Sequence, residues 1–430
     1  MAAALAAAGF VACPAEGVAA TTLHVTNTAD GGPGSLRAAV AGVGEGGTVV
    51  LDPTLKYGRI TLVTGAIEVP WNAMTLTGPG ADLIAVSGGG NFRVFHHTGA
   101  GKLSINGATI ADGKYQSNTL PLGGCIYSGG NVELVDAKVA SCTADATGPN
   151  PARGGGVYAR GTLDLRNSTI TGNTAAGTGG NAYGGGVYAR GAMTALYSVF
   201  SDNTAGTTSN YFGLGGAMWT RGNTYLLGSL VSGNKALLAG AIGSQTALGG
   251  TSVVIANSTI SGNRAYFRFG GVYSKVPVTL VSSTVAFNEA PDGGAVYVVG
   301  AQVTLRSSIV ADNVTNGAKG DLDGAFVPAP AGTNNLITSS TIGLPPGTIT
   351  GCPKLGPLAD NGGGALLTHA LLAGSPAINT GADPFNLELD ERGTGFLRVV
   401  GGQADIGAFE RQGGADDRIL VGGFDPVCDH

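Results

Sequence analysis

A unit of about thirty residues recurs along the middle of the chain, and no other feature narrows the possible folds as far. GGGVYARGTLDLRNSTITGNTA (154–175) returns as GGGVYARGAMTALYSVFSDNTA (184–205) and as GGAMWTRGNTYLLGSLVSGNKA (215–236). Looser copies begin near Gly123, Ala239, Gly270 and Gly293. The copies close on Asn173, Asn203, Asn234, Asn263, Asn288 and Asn313, at steps of 30, 31, 29, 25 and 25 residues. The copy from Gly123 carries Cys142 in that position. Inside a copy, short alternating runs such as Val157-Tyr158-Ala159-Arg160 and Leu163-Asp164-Leu165 read as strands, with glycine pairs at the turns. So small a unit cannot bury its own apolar face, so copies must stack into one continuous core, a β-solenoid. Equal positions then lie ~4.8 Å apart along the axis, and the six asparagines form an axial amide ladder. A serine stands five residues before each of them: Ser168, Ser198, Ser229, Ser258, Ser283 and Ser308. With no histidine column beside them, these serines fill an interior corner and are not nucleophiles.

Composition closes off the alternatives. The 430 residues include 76 glycines and 19 prolines, and 12% are charged against 43% hydrophobic. That balance is the reverse of a disordered chain, and no Gly-X-Y register signals collagen. A net charge of −5, with the cations thinly spread, offers no footprint for nucleic acid. Beyond residue 20 no apolar run reaches the ~18 residues that span a bilayer. Residues 1–20 form an Ala-rich stretch with Val18 and Ala20 placed for cleavage before Thr21, an export leader; a lipoprotein leader modified at Cys13 is the second reading. Without the leader four cysteines remain, an even number that suits an oxidising compartment; the alternative is four buried thiols. Cys125 opens a coil that Cys142 closes, so one turn brings the two within bonding reach, and Cys352–Cys428 follows by elimination. No Cys-x-x-Cys or His/Cys spacing suggests zinc, and His96–His97 reads as a strand pair.

The repeated Gly-Gly-x-hydrophobic start and closing asparagine resemble the right-handed parallel β-helix of bacterial surface proteins, as in the polymorphic outer-membrane proteins and the pectate-lyase-like superfold. LHVTNTADGGPGSLRAAVAGVGEGGTVVLDP (23–53) resembles the module that opens many exported β-helices, with Ser35 to Val43 a short helix over the first coil. PLADNGGGALLTHALLAGSPAINTGA (357–382) and DERGTGFLRVVGGQADIGAFE (390–410) resemble the choice-of-anchor module, with Asp390-Glu391-Arg392-Gly393 where that family usually shows Asp-Gln-Arg-Gly. The tail DDRILVGGFDPVCDH (416–430) resembles a short terminal tag of exported gammaproteobacterial proteins. The expected organisation is a leader (1–20), an N-terminal cap (21–47), an all-β right-handed parallel β-helix (48–335), an irregular C-terminal module (336–412) and a tail (413–430). The resemblance implies a fold and an extracellular or cell-surface location, and it fixes no reaction.

Function has to come from the outer face. Tyr127, Tyr158, Tyr188, Trp219, Tyr273 and Tyr297 share one column, broken at Gly243. Two residues further on stand Gly129, Arg160, Arg190, Arg221, Gln245, Lys275 and Val299, which alternation places on the same face. Planar aromatic and guanidinium groups in rows are how proteins hold sugar rings and their acidic substituents. The expected ligand face is therefore Tyr158, Tyr188, Trp219 and Tyr273 with Arg160, Arg190, Arg221 and Lys275, binding an acidic polysaccharide, with a gap or boundary at the coil of Gly243 and Gln245. The bland alternative is a solvated wall. Loop residues Tyr183, Tyr211, Phe212, Tyr266, Phe267 and Phe269, with Arg264 and Arg268, border it. Glu133 and Asp164 occupy one column on adjacent coils and could form a glycosidase pair or share a calcium ion; no other cofactor or metal is expected. A lyase needs a cation for the uronate carboxylate, such as Arg190, and a base, and no residue stands out as that base. Three readings remain open: a polysaccharide-binding surface protein, a polysaccharide lyase or glycoside hydrolase on the same face, and a passive stalk or adhesin.

Overall fold

The computed structural model describes residues 20–177, 179–206, 212–245 and 250–413. Cys13, Tyr211, Cys428, the tail and all of the expected leader except Ala20 lie outside the described residues. The described chain winds into about eleven turns of a parallel β-solenoid with one short α-helix. Its strands stack into four sheets. Sheet A has twelve strands, from Thr22–Val25 and Thr48–Leu51 to Ala331–Thr333. Sheet B has eleven, from Gly58–Thr61 to Leu336–Ile337, and sheet C has ten, from Ile67–Val69 to Leu322–Ala325. Sheet D begins only at Lys114–Ser117. One turn runs Val157–Ala159 in C, Leu163–Arg166 in A, Thr169–Thr171 in B and Thr174–Ala176 in D.

Alternation makes each strand a ledge with one wet and one dry side. Val157, Ala159, Leu163, Leu165 and Ile170 all enter the solenoid interior and are buried, while Asp164 and Arg166 face out. Register is kept from coil to coil, pairing Tyr158 with Tyr188, Leu163 with Met193 and Ile170 with Phe200. The corner into sheet C needs a left-handed backbone, which Gly154, Gly184 and Gly215 adopt at φ of 66°, 64° and 68°. Their repetition in the sequence is the mark of that corner.

The B-to-D corner is held by the asparagines, every one from Asn173 to Asn313 buried. Each Nδ2 donates to the next Oδ1: Asn173 to Asn203 at 3.0 Å, Asn203 to Asn234 at 2.9 Å, Asn234 to Asn263 at 2.9 Å, Asn263 to Asn288 at 2.8 Å and Asn288 to Asn313 at 2.9 Å. The same oxygens accept backbone N–H groups, as Asn203 Oδ1 does from Asn173 N at 3.0 Å. The file ends at Asp321, whose Oδ1 accepts from Asn313 Nδ2 at 2.9 Å. The serines sit at the A-to-B corner, Ser168 N donating to Ser198 Oγ at 3.2 Å and Ser198 N to Ser229 Oγ at 3.1 Å.

At the N-terminal end, helix α1 (Leu36–Gly42) is capped by Ser35, whose side chain accepts from Ala38 N. It buries Leu36, Ala39 and Val40 against the first turn. Thr22–Val25 pairs with Thr48–Leu51, so sheet A begins ahead of the helix, inside the segment expected to be cap alone. Cys125 and Cys142 are disulfide-bonded across one coil, with Cα atoms 5.5 Å apart. Cys352 also carries a disulfide; Cys428, its expected partner, is outside the described residues.

Three coils of 30 or 31 residues differ from the 25-residue coils by an excursion between sheets D and C. It returns through the short strands Ala152–Arg153, Ala182–Tyr183 and Gly213–Leu214, which pair with one another. Together they make a wall beside the outer face of sheet C. After sheet B ends, the chain folds back along that sheet. The antiparallel pair Leu355–Ala359 and Thr368–Leu371 packs Leu355, Ala370 and Leu371 with Ile406 and Phe409 onto Ala286, Ile309, Ala311 and Leu336.

Candidate functional site

On sheet C the outward row reads Glu68, His96, Tyr127, Tyr158, Tyr188, Trp219, Gly243, Tyr273, Tyr297 and Asp323, one residue per coil. The aromatic members point away from the interior, yet they are not open faces. Tyr127, Tyr158 and Tyr188 stack on one another with centroids 5.5 Å apart and planes within 2° and 12° of parallel. Tyr183, from the wall, meets Trp219 edge-on at 5.2 Å. With Leu122 and Leu214 they form a second apolar cluster outside the solenoid core. Tyr158, Tyr188 and Trp219 keep only 4–5% of their surface. Ring faces are therefore taken up by each other, and what is left for a ligand is edges and hydroxyls. At Gly243 a Cβ would collide with the Trp219 indole, so the missing side chain makes room for the ring.

Cations flank the row, a line of them on one side and a single one on the other. Arg160, Arg190, Arg221 and Lys275 stand exposed at the C-to-A corner, one per coil apart from Gln245. Arg190 N donates to Ala159 O and Arg221 N to Ala189 O, both at 3.0 Å, so the backbone sets their spacing. Among the described residues none of these four forms an ion pair. On the wall side, Arg153 lies 5.6 Å from the centroid of the Tyr188 ring. Burial pushes the Tyr158 phenol up, and the Arg190 and Arg153 guanidiniums pull it partly back. Between Arg153 and Arg221 opens a pocket of about 260 Å³, also lined by Pro151, Tyr183, Tyr188, Trp219 and Gln245. Its chemistry is cationic and aromatic, suited to an anionic group carried on a ring or chain of modest size.

Toward the C-terminal end the wall is absent and Phe269 takes its place, 4.8 Å from Tyr273 and 4.2 Å from Tyr297. Phe212, Tyr266 and Phe267 are about half exposed. Arg264 and Arg268 are ion-paired to Glu289 and Asp292 at 3.4 and 2.7 Å. Lys275 and Tyr273 thus stand apart from the pocket that holds Arg221 and Trp219.

Glu133 and Asp164 are register partners on sheet A, round the corner from the aromatic row. Glu133 accepts from Lys102 Nζ and Ser104 Oγ, both at 2.9 Å. The Lys102 hydrogen bond, against some desolvation, holds its carboxyl below the usual range. A carboxylate held ionised by a lysine is poorly placed to donate a proton. Asp164 takes a bond from Thr162 Oγ1 at 3.3 Å. No group of three or more His, Cys, Asp or Glu placed to hold a metal occurs among the described residues.

The sequence points to the corner cations by repetition, and Arg153 escapes it. The only trace of Arg153 is the longer coil, because a two-residue strand has no alternation to read. The adjacent histidines divide as strand neighbours do. His97 faces inward and bonds Ser128 Oγ at 2.7 Å, while His96 faces out onto Glu68.

No protein-family model matches the chain, and no curated protein matches it. Among solved structures, it is similar to the catalytic unit of a thermostable GH87 alpha-1,3-glucanase from Streptomyces thermodiastaticus strain HF3-3. The two share 18% identity over 78% of this chain and 68% of that one, with a TM-score of 0.35. It is also similar to pectate lyase Pel9A, with 15% identity over 91% of this chain and 98% of that one, and a TM-score of 0.40.

Proposed function

We propose that the protein binds an acidic polysaccharide outside the cytoplasm, along the groove between the sheet C corner and its wall. The observation that carries this reading is the line of cations Arg160, Arg190 and Arg221 on one side, faced by Arg153 on the other. Among the described residues no carboxylate forms an ion pair with them. Like charges at one-coil spacing repel, and a polymer with an acid group on successive residues relieves that repulsion at each step. Aromatic contact is confined to the pocket at Trp219, Tyr188 and Tyr183; elsewhere the stacked rings act as the floor that fixes where the arginines stand. The Cys125–Cys142 disulfide fits an oxidising compartment, and the residue 336–412 segment, with its choice-of-anchor resemblance, is the part we assign to surface attachment.

A glycan panel tests this directly. Purified protein is expected to retain uronate- or sulfate-bearing polymers and to ignore neutral ones, with retention falling as salt is raised toward ~1 M, where screening acts within about 3 Å. Equal retention of neutral polymers, or none of any acidic one, removes the reading.

A further inference from the structure

At the A-to-B corner one position of each coil is left-handed. Asp136, Asn167, Tyr197, Gly228, Asn257, Ser282 and Ser307 stand there on successive coils, at φ from 45° to 58°. Backbone bonds keep them in one column, with Asn167 N donating to Leu196 O at 3.0 Å and Tyr197 N to Leu227 O at 2.9 Å. This conformation suits glycine and short polar side chains that bond locally, and it strains a bulky one. Tyr197 is the exception in the column.

The next coil accommodates the misfit. A Cβ at Gly228 would collide with the Tyr197 ring, so the ring lies against that glycine. Even so, Tyr197 stays 40% exposed, and among the described residues it joins none of the buried apolar clusters. A strained aromatic that packs into no core points to a use outside packing. The ring borders a pocket of about 490 Å³ in the seam between the solenoid and the C-terminal segment folded back along sheet B. Arg166, Leu196 and Tyr197 line it from the solenoid, and Leu366, Leu389 and Arg392 from the C-terminal segment. Arg392 is taken up by Asp390, with Nη2 2.6 Å from Oδ2. Arg166 is exposed, and among the described residues it forms no ion pair. Glu133, whose charge reaches Arg166, is itself paired with Lys102 at 2.9 Å. Leucine walls, an open phenol ring and one uncompensated guanidinium suit a flat apolar body that ends in an anion.

We propose that this seam pocket binds a small aromatic carboxylate, its ring against Tyr197 and its carboxylate on Arg166. The site lies at the A-to-B corner, away from the groove on sheet C, so it stands or falls separately from polysaccharide binding. A ligand held there touches both the solenoid and the C-terminal segment. It binds only where the two are docked, and it therefore stabilises the folded chain.

The full chain is titrated by calorimetry with cinnamate, benzoate, octanoate and the neutral cinnamyl alcohol, and the denaturation midpoint is followed with each. Cinnamate is expected to bind saturably and to raise the midpoint. Cinnamyl alcohol is expected to bind about tenfold more weakly, the share of one charge-assisted hydrogen bond. Arg166→Gln is expected to bring cinnamate down to the level of the alcohol, and Tyr197→Phe to keep the wild-type affinity. Tyr197→Asn gives the coil the residue type of Asn167 in the coil before it. That variant is expected to lose at least ~10-fold in cinnamate affinity while its ligand-free midpoint holds or rises, because the strain is gone. Absence of saturable binding for both aromatic carboxylates overturns the proposal, as does equal affinity for cinnamate and its alcohol. Octanoate binding as tightly as cinnamate overturns the aromatic class. A Tyr197→Asn chain that binds like wild type, or that melts below it without ligand, makes the ring part of the seam packing and overturns the site.

Discussion

At the residue scale the asparagine file is the tightest specification in the molecule. Each member satisfies a backbone N–H at a corner where the chain has turned left-handed, as at Ser141, Asp202 and Asp312 with φ of 57°, 56° and 56°. Asn234 is bonded on both sides along the axis and also donates to Phe200 O at 2.9 Å. Asn234→Ala leaves these groups unpaired in the interior, and the expected loss is about 1–3 kcal/mol, read as a drop in denaturation midpoint. Asn313→Asp addresses the end of the file, where Asp321 already supplies the acceptor. A second carboxylate facing it is expected to cost more than Asn234→Ala does, and equal midpoints would contradict donation from Asn313 Nδ2 to Asp321. Gly243→Ala reports on the row outside. It is expected to displace the Trp219 indole and shift its fluorescence while leaving the core columns in register.

At the scale of elements, the disulfide and the wall do different work. Cys142 occupies the asparagine position of its coil, and its N–H donates to Asn173 Oδ1 at 3.0 Å. The bond closes a span of 17 residues, which by chain entropy is worth about 3 kcal/mol. Replacing Cys125→Ala together with Cys142→Ala is expected to lose roughly that amount. Pairing Cys125→Ala with Cys142→Asn is expected to recover part of it by lengthening the file one step. Equal midpoints for the two double variants would mean that position 142 is not a ladder site. These columns are legible in the sequence because parallel stacking imposes the same chemistry at the same place in every coil. The wall is not, since Ala182–Tyr183 and Gly213–Leu214 are too short to show a period. Nor is the burial of Tyr158 and Tyr188, because the residues that cover them arrive from that wall. A row of outward aromatics therefore reads as open ring faces, whereas the structure stacks them edge to the groove.

At the scale of the whole molecule, the C-terminal segment clasps sheet B through buried ionisable groups. Glu391 accepts from Thr259 N at 2.9 Å, and His369 Nε2 lies 2.7 Å from Ser261 Oγ. Desolvation lowers His369 to about 4 and raises Glu410 from 4.5 to about 7, although Glu410 accepts N–H groups from Val400 and Asp405. Below pH 4.5 Glu410 is protonated folded or unfolded; from there to about 7 only the folded state keeps its proton, so stability falls as pH rises through that window. His369 acts oppositely, destabilising as pH falls from 6.5 toward 4. The melting-temperature advantage of wild type over Glu410→Gln is therefore expected to shrink between pH 4.5 and 7, and a constant difference would contradict this. The claim that the pocket between the sheet C corner and its wall takes an acidic polymer can be read from Trp219 alone. The chain has two tryptophans, Trp71 and Trp219, so a Trp71→Phe variant isolates the pocket. Titrating its fluorescence with anionic oligosaccharides should give a saturable change that weakens with salt and with Arg221→Ala and is absent for neutral sugars. A signal unmoved by every anionic oligosaccharide at low salt, or moved equally by neutral ones, would contradict the account.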